Sequence, residues 1–113
     1  MAAADYDLLI EQGATFELSI VWKDNEGTPI DISGYSARMQ IRKTYDSEPV
    51  INLTDGSGIT LGGITGSIDI SIDADTTDGL IINRGRYDLE LESNGIVTRL
   101  IQGTVEISKE VTK

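Results

Sequence analysis

A long hairpin pattern near the end of the chain constrains the fold more than any other feature of the sequence. Apolar and acidic residues alternate over residues 87–92, so a strand there has one apolar face and one acidic face. Residues 93–95 tolerate the positive φ of a tight turn. Residues 97–107 return with an interrupted alternation, which predicts a β-bulge that keeps Ile101 and Val105 on the core side.

Six earlier segments have the composition of short strands, and one segment departs from the strand period. The second strand, residues 15–23, carries Phe16, Leu18, Ile20 and Trp22 on one face, so we predict that Trp22 is buried. Residues 74–80 begin with hydrogen-bond acceptors and predict a single helical turn. The six predicted strands are residues 6–12, 15–23, 35–43, 50–54, 59–61 and 67–73.

The outward faces of two predicted strands carry opposite charges. Arg38 and Arg42 lie on the polar face of residues 35–43, whereas that of residues 87–92 is acidic. Neighbouring strands with this charge pattern stabilise each other through cross-strand ion pairs. A strand with Arg38 and Arg42 outward could therefore lie beside a strand whose outward residues are acidic.

The number and spacing of the strands indicate an all-β fold. About eight short strands are separated by turn-forming residues at intervals of roughly 8–12 residues, which is typical of a sandwich or a barrel. No repeated, even strand length suggests a closed barrel, so we predict an antiparallel β-sandwich. A length of 113 residues corresponds to one domain, residues 1–113.

Composition argues against several classes of function. The chain has no cysteine and no histidine, which excludes disulfides and the usual zinc, cysteine-protease and serine-hydrolase arrangements. A net charge of −10 would repel nucleic acid. No apolar run approaches a membrane span, and residues 1–5 do not resemble a secretory signal. We expect no nucleic-acid or membrane partner, no cofactor, and synthesis in a cytoplasm.

Three groups of residues could carry chemistry, and each has a simpler structural explanation. Residues 73–79 resemble the start of a calcium loop, but Asp78 and Arg84 stand where such a loop needs glycine and glutamate. The carboxylate pairs Glu90/Glu92 and Asp69/Asp73 lie on solvated strand faces, unlike a glycosidase pair. Aromatic residues could form a sugar platform, although two of the three also suit core or corner positions. They are Trp22, Tyr35 and Tyr45. We predict no catalytic, metal or cofactor residues.

Several sequence blocks, in this order, are similar to a family of small tailed-bacteriophage virion proteins. They are "QGATF" at residues 12–16, "PIDISGYSARMQIR" at 29–42, "YDLEL" at 87–91 and "GTVEI" at 103–107. The similarity spans residues 7–112 and resembles the immunoglobulin-like N-terminal domain of phage baseplate upper proteins. It implies an immunoglobulin-like sandwich that serves as a building part of a tail, baseplate or neck, without catalytic residues. In larger relatives a fibre or receptor-binding region follows, so a chain ending at Lys113 is expected to be a stand-alone subunit.

We therefore expect a non-enzymatic structural protein of the virion that connects other phage proteins and copies of itself. The alternative is a carbohydrate- or host-surface-binding module on the same fold, which would need clustered exposed aromatic residues. Residues 1–5 and 109–113 extend beyond the predicted strands and are expected to be loose until another chain holds them. The predicted assembly contacts are Tyr6, Asp7, Tyr45, Lys109 and Lys113.

Overall fold

The computed structural model describes residues 3–112, and these form nine strands, one short α-helix and one 3-10 turn. The strands are β1 (Ala4–Asp5), β2 (Leu8–Glu11), β3 (Phe16–Val21), β4 (Ser36–Arg42), β5 (Pro49–Asp55), β6 (Gly58–Leu61), β7 (Ser67–Ile72), β8 (Arg84–Ser93) and β9 (Ile96–Ser108). The 3-10 turn, Gly63–Thr65, joins β6 to β7, and helix α1, Ala74–Asp78, follows β7. The helical turn predicted after residue 73 is confirmed, whereas the 3-10 turn was not predicted.

The strands form a curled sheet with the order β1-β9-β8-β4-β5-β6-β7-β3, and β2 also pairs with β9. It folds over between β5 and β6, so β6, β7 and β3 form a smaller layer and the other six strands a larger one. This is the strand order of an immunoglobulin-like sandwich, with β3, β7 and β6 as strands B, E and D and with β4, β8 and β9 as strands C, F and G. The predicted immunoglobulin-like β-sandwich is confirmed.

The pairing is antiparallel except at three places. β1 and β2 run parallel to β9, and β5 runs parallel to β6 over two residue pairs. The N-terminal strands can run parallel to β9 because almost the whole chain separates them from it, which leaves the direction of pairing free. The antiparallel pairing predicted for the sandwich is found between the central strands of both layers, and the three parallel pairs are additions to it.

The terminal hairpin agrees with its sequence pattern in detail. Ser93 pairs with Ile96 across a two-residue turn in which Asn94 and Gly95 have φ values of 53° and 81°. The pairing shifts by one residue between Leu89 and Glu90, which leaves Leu100 as the extra residue of a bulge. The predicted β-bulge is confirmed, and the residues after it return to the core side.

Rows of side chains across the strands build the core. In the larger layer one row runs through Leu53, Met39, Leu89 and Ile101, and all four are buried. In the smaller layer Ile59 and Ile70 are buried, but Leu18 at the end of their row on β3 is only half-buried. Coverage of the core therefore decreases toward β3.

The prediction that Trp22 is buried is wrong, because Trp22 follows this poorly covered strand. Its ring is partly exposed and packs edge to face on Tyr35, with ring centroids 5.9 Å apart. The apolar side chains of β3 do face the core, as predicted, but all of them remain half-exposed. The alternation of apolar and polar residues predicted which face these side chains lie on, but it did not predict how deeply they are buried.

The segment between β2 and β3 is fixed to helix α1. The hydroxyl of buried Thr77 accepts a hydrogen bond from Gly13 N at 3.1 Å and lies 2.8 Å from the carbonyl oxygen of Ala14, to which it donates. The side-chain amide of Gln12 donates to Leu80 O at 2.8 Å. The chain therefore leaves the larger layer at β2 and enters the smaller layer at β3 by one fixed path.

Candidate interaction surfaces

Strand β3 is an open edge of the smaller layer. Within residues 3–112 its strand partner is β7 alone. Trp22 N donates to Gly66 O at 2.9 Å, and antiparallel ladders bond every second residue. The N–H and C=O groups of Glu17, Ser19 and Val21 therefore point away from β7, toward the open side. Three donors and three acceptors of the main chain are available at this edge.

This edge lacks the features that usually prevent strands of different chains from pairing. Such features are proline, lysine, bulges and short length. The six residues of β3 contain no proline or lysine, and they pair with β7 without a shift. Among the other outer strands, β1 and β2 have two and four residues, and β5 begins with Pro49. Of the described edges, β3 is thus the one best suited to accept another strand.

The two layers also differ in charge. The strands of the smaller layer, β3, β6 and β7, together with α1, contain four acidic residues and no lysine or arginine. The acidic side chains nearest the open edge are Glu17 on β3 and Asp69 on β7, and Ser19 Oγ donates to Asp69 at 2.7 Å. Lys23 lies two residues beyond the end of β3. The basic residues within described strands all belong to the larger layer, at Arg38, Arg42, Arg84, Arg86 and Arg99. The open edge therefore lies on the acidic layer.

Ion pairs cover the outer face of the larger layer. Arg38 contacts Glu90 at 2.8 Å and Glu92 at 3.1 Å across the β4–β8 pairing, so the strand with basic outward residues does lie beside an acidic one, as expected. Arg99 Nε lies 3.5 Å from Asp88 Oδ2. Burial raises the pKa of Asp88, and the nearby Glu90 raises it further. Most charges on this face already have partners within the chain.

Tyr45 stands at a groove on the same outer face. Its ring is 75% exposed, and the guanidinium carbon of Arg86 lies 5.3 Å from the ring centroid. The groove has a volume of about 380 Å³, and its other lining residues are Gln40, Arg42, Tyr87, Asp88 and Glu90. An exposed aromatic ring beside polar groups is an arrangement that can bind a sugar or a peptide side chain.

Three further predicted assembly residues have contacts within the chain. Tyr6 N donates to Gln102 O at 2.8 Å, and Tyr6 O accepts a hydrogen bond from the hydroxyl of Tyr87. Asp7 Oδ1 accepts from Thr104 N at 3.0 Å, which lowers the pKa of Asp7. Lys109 Nζ donates to Ile82 O at 2.9 Å.

The chain ends are therefore more ordered than we expected. β1 pairs with β9 at Ala4 and Asp5, and Glu110 N donates to the Gln12 side chain at 3.0 Å. The prediction that residues 1–5 and 109–113 are loose is wrong for these residues, because sheet pairing and side-chain hydrogen bonds hold them. Residues 1–2 and Lys113 lie outside the described residues. An assembly role for the predicted contact residues stays a prediction.

The other candidate groups have structural partners. Asp73 caps helix α1 by accepting a hydrogen bond from Thr76 N at 2.8 Å. Hydrogen bonding with the side chain and the backbone of Thr76 lowers the pKa of Asp73. Glu90 and Glu92 share Arg38, and Asp69 bonds Ser19. In residues 3–112 no cluster of three potential metal-ligating side chains is found. No helix in this part of the chain is long and apolar enough to cross a membrane.

The predicted aromatic platform does not form a common exposed face. Trp22 and Tyr35 pack on each other and on the core, whereas Tyr45 contacts Arg86 of the larger layer. The open edge of β3 was not predicted from the sequence. One available signal was the composition of β3 itself, six residues without proline, lysine or arginine.

Comparison with known proteins gives distant structural likeness only. No protein-family model matches the sequence, and a search of characterised proteins also finds no match. The extracellular domain of the voltage-gated sodium channel beta4 subunit, a parallel homodimer with a role in cell–cell adhesion, is similar at 16% identity and a TM-score of 0.46, covering 98% of this chain and 97% of that chain. A chain from a crosslinking study of cell-adhesive contacts between sodium channel beta subunits is similar at 15% identity and a TM-score of 0.46, covering 94% and 92%. Similarity this distant carries no argument about function.

Proposed function

We propose that this protein is a non-enzymatic structural subunit of a tailed-bacteriophage particle, made in the host cytoplasm and incorporated into the tail, baseplate or neck. Its partners are other phage structural proteins and further copies of itself. The sequence blocks that resemble phage virion proteins support the assignment of this protein to a phage particle. The observation that carries the connecting role is the open edge of β3, where six main-chain groups have no strand partner among residues 3–112 and lie beside half-exposed apolar side chains.

The remaining surface is consistent with binding proteins rather than transforming a small substrate. Large apolar side chains are exposed at separate places, including Leu9, Ile64, Ile81 and Ile96. Protein interfaces use broad areas with scattered apolar contacts, whereas active sites concentrate titratable groups in a protected cleft. The raised pKa of Asp88 is explained by burial beside Glu90 on a strand face.

The test is to locate the subunit in particles. A small tag at the β8–β9 turn, at the exposed residues Asn94 and Gly95, should leave the core intact. Labelled particles imaged by electron microscopy should carry density at repeated positions of the tail, baseplate or neck. Purified particles without this chain would contradict the proposal.

The second candidate function is carbohydrate or host-surface binding, and the exposed Tyr45 at its groove favours it. A glycan stacked on this ring would displace Arg86 from the ring face. Titration of purified protein with host glycans, compared with Tyr45→Ala, tests this function. If glycan binding depends on Tyr45 and the protein is absent from particles, the binding function would be favoured over the structural role.

A further inference from the structure

The open edge of β3 has the geometry of a strand-binding site. An extended segment placed beside β3 can form main-chain hydrogen bonds with Glu17, Ser19 and Val21, whose N–H and C=O groups point away from β7. Addition of a strand to a sheet edge is a general mode of peptide recognition, in which the main chain supplies affinity and alternate side chains supply specificity. The described N-terminal segment of this chain does not fill the position, because β1 and β2 pair with β9 in the other layer.

The core side of this position calls for apolar residues. Phe16, Leu18 and Ile20 face inward from β3 and are half-exposed, whereas Ile68, Ile70 and Ile72 on the adjacent β7 are buried. Apolar side chains of an added strand would lie next to the three β3 residues and extend each row by one member. Burial of this surface would favour binding.

The outer side of this position calls for basic residues. Glu17 and Asp69 lie on the outer faces of β3 and β7, and β3, β6 and β7 contain no basic residue. Lys23 lies two residues beyond the end of β3, at the other end of the strand from Glu17. A basic side chain on the added strand would lie across from Glu17, a favourable cross-strand pair. A second copy of β3 would instead bring another Glu17 and a molecule of net charge −10 to the same edge.

We infer that β3 docks an extended segment of another protein in which apolar residues alternate with lysine or arginine. This inference rests on the proposed function, since it names the class of segment through which a neighbouring particle protein is held. The segment adds a fourth strand to the smaller layer, on the side of β3 opposite β7.

The direct test uses synthetic peptides and the intact chain. The probe is an eight-residue peptide of alternating valine and lysine with a fluorescent end group, and the controls are alternating valine and glutamate and a peptide with the same valines and lysines in two blocks. We expect the alternating basic peptide to bind at least about tenfold more tightly than either control. Added salt should weaken its binding. Equal binding of the acidic alternating peptide would overturn the charge assignment.

Hydrogen exchange locates the bound strand. In the free chain the amides of Glu17, Ser19 and Val21 should exchange quickly, while those of Leu18 and Ile20 are protected by β7. The basic peptide should slow exchange at the first three positions. Binding without this protection would show that the peptide docks elsewhere and would overturn the inference.

Two substitutions test the same edge in the chain. Ser19→Pro removes an outward N–H at a place where a strand edge tolerates proline, and we expect at least about tenfold weaker peptide binding. Ser19→Ala is its matched control, since it loses only the hydroxyl bond to Asp69 and should bind as the original chain does. If Ser19→Pro impairs folding, Glu17→Lys still tests the site: this exposed substitution should weaken binding of the basic peptide about fivefold and strengthen that of the acidic one.

Failure of this inference can be told apart from failure of the proposed function. If Ser19→Pro folds and enters particles at the normal level, the structural role stands and the strand-docking inference falls. If the purified chain forms dimers that Ser19→Pro abolishes and the basic peptide does not bind, the occupant is a second copy and the inference is overturned. Loss of incorporation with Ser19→Pro but not with Ser19→Ala would support the inference.

Discussion

The larger and smaller layers of this sandwich are built from the same alternating pattern, but they are completed to different extents. In the larger layer β4, β8 and β9 lie between other strands, their core rows are buried, and their outer charges form ion pairs. In the smaller layer β3 has one strand partner among the described residues, half-exposed core side chains and acidic neighbours without basic partners on its strands. The comparison suggests that stability comes mainly from the larger layer and that the smaller one offers the binding edge.

The N-terminal segment explains much of this difference. In many immunoglobulin-like domains the first strand lies beside the second strand of the fold, and here β1 and β2 lie beside β9 instead. β1 and β2 therefore cover β9 of the larger layer, whereas β3 of the smaller layer has no strand on the side opposite β7 within the described residues. Gln12 and Thr77 fix the crossing between layers, so the described N-terminal strands stay at β9.

The largest expected effect separates the two layers by the depth of their cores. Leu89→Ala removes a fully buried side chain from the larger layer and should lower the free energy of unfolding by about 3–5 kcal/mol. Leu18→Ala, at the half-buried end of a row in the smaller layer, should lower it by only about 1–2 kcal/mol. Urea denaturation of both variants measures the difference. Equal losses would mean that β3 is as well covered as β8.

The sequence predicted local features well because they depend on neighbouring residues. Alternation over residues 87–92, the turn at Asn94 and Gly95, and the bulge near Leu100 were all recognised before the structure. Complementary charge indicated that the strand carrying Arg38 could lie beside an acidic strand, and its partner carries Glu90. These features are determined within one strand or between two strands of strongly contrasting composition.

The features that were missed depend on which strands end up next to each other. Trp22 has an apolar neighbour at every second position, but its burial depends on whether another strand covers β3. The open edge depends in turn on β2 pairing with β9, over a sequence separation of almost the whole chain. No local sequence pattern predicts that β2 pairs with β9 and not with β3. The contacts of Tyr6, Asp7 and Lys109 were missed for the same reason, since their partners are distant in sequence.

The next expected effect concerns the closed edge of the larger layer. A Cβ atom at Gly103 would lie 2.5 Å from Tyr6 O and 2.8 Å from Asp7 Oδ1, so Gly103→Ala must displace the N-terminal segment. We expect a loss of about 1–3 kcal/mol in the free energy of unfolding and faster hydrogen exchange at Tyr6 N. Gly79→Ala is the control, because its Cβ would lie 3.5 Å from Thr76 O and its φ is −77°. If Gly103→Ala left the free energy of unfolding unchanged, the N-terminal segment would not be packed closely on β9.

Acid should weaken hydrogen bonds in both layers. The pKa of Asp7 is lowered by the hydrogen bond from Thr104, and the pKa of Asp73 by that from Thr76. A carboxylate with a lowered folded-state pKa stabilises the fold at pH values above 3.8, the ordinary pKa of aspartate. This stabilisation is lost as the pH falls through the folded-state pKa. The urea concentration at the unfolding midpoint should therefore decrease when the pH is lowered below about 4.

Asp73→Asn separates the contribution of the smaller layer to this acid sensitivity. Asparagine is also a good N-cap but does not titrate, so the variant should retain α1 and show a shallower decline in the urea midpoint at low pH. An unchanged decline would assign the acid sensitivity to Asp7 of the larger layer and to Asp31, whose pKa is lowered by hydrogen bonding with Ser33.

The smallest expected effect tests whether the ion pairs of the larger layer stabilise it. Burial raises the pKa of Asp88, Glu90 raises it further, and Arg99, Arg42 and Arg38 oppose them. Because the folded-state pKa lies above the ordinary 3.8, the folded chain holds this proton more tightly, and stability is lost as the pH rises through that window. At pH 7 the ionised carboxylate therefore costs stability. Asp88→Asn should raise the free energy of unfolding there by at most a few tenths of a kcal/mol after solvent screening, with the gain vanishing in acid. If the substitution instead lowers stability at pH 7, and salt reduces the loss, the bond from Arg99 outweighs burial and the paired face itself contributes to the stability of the larger layer.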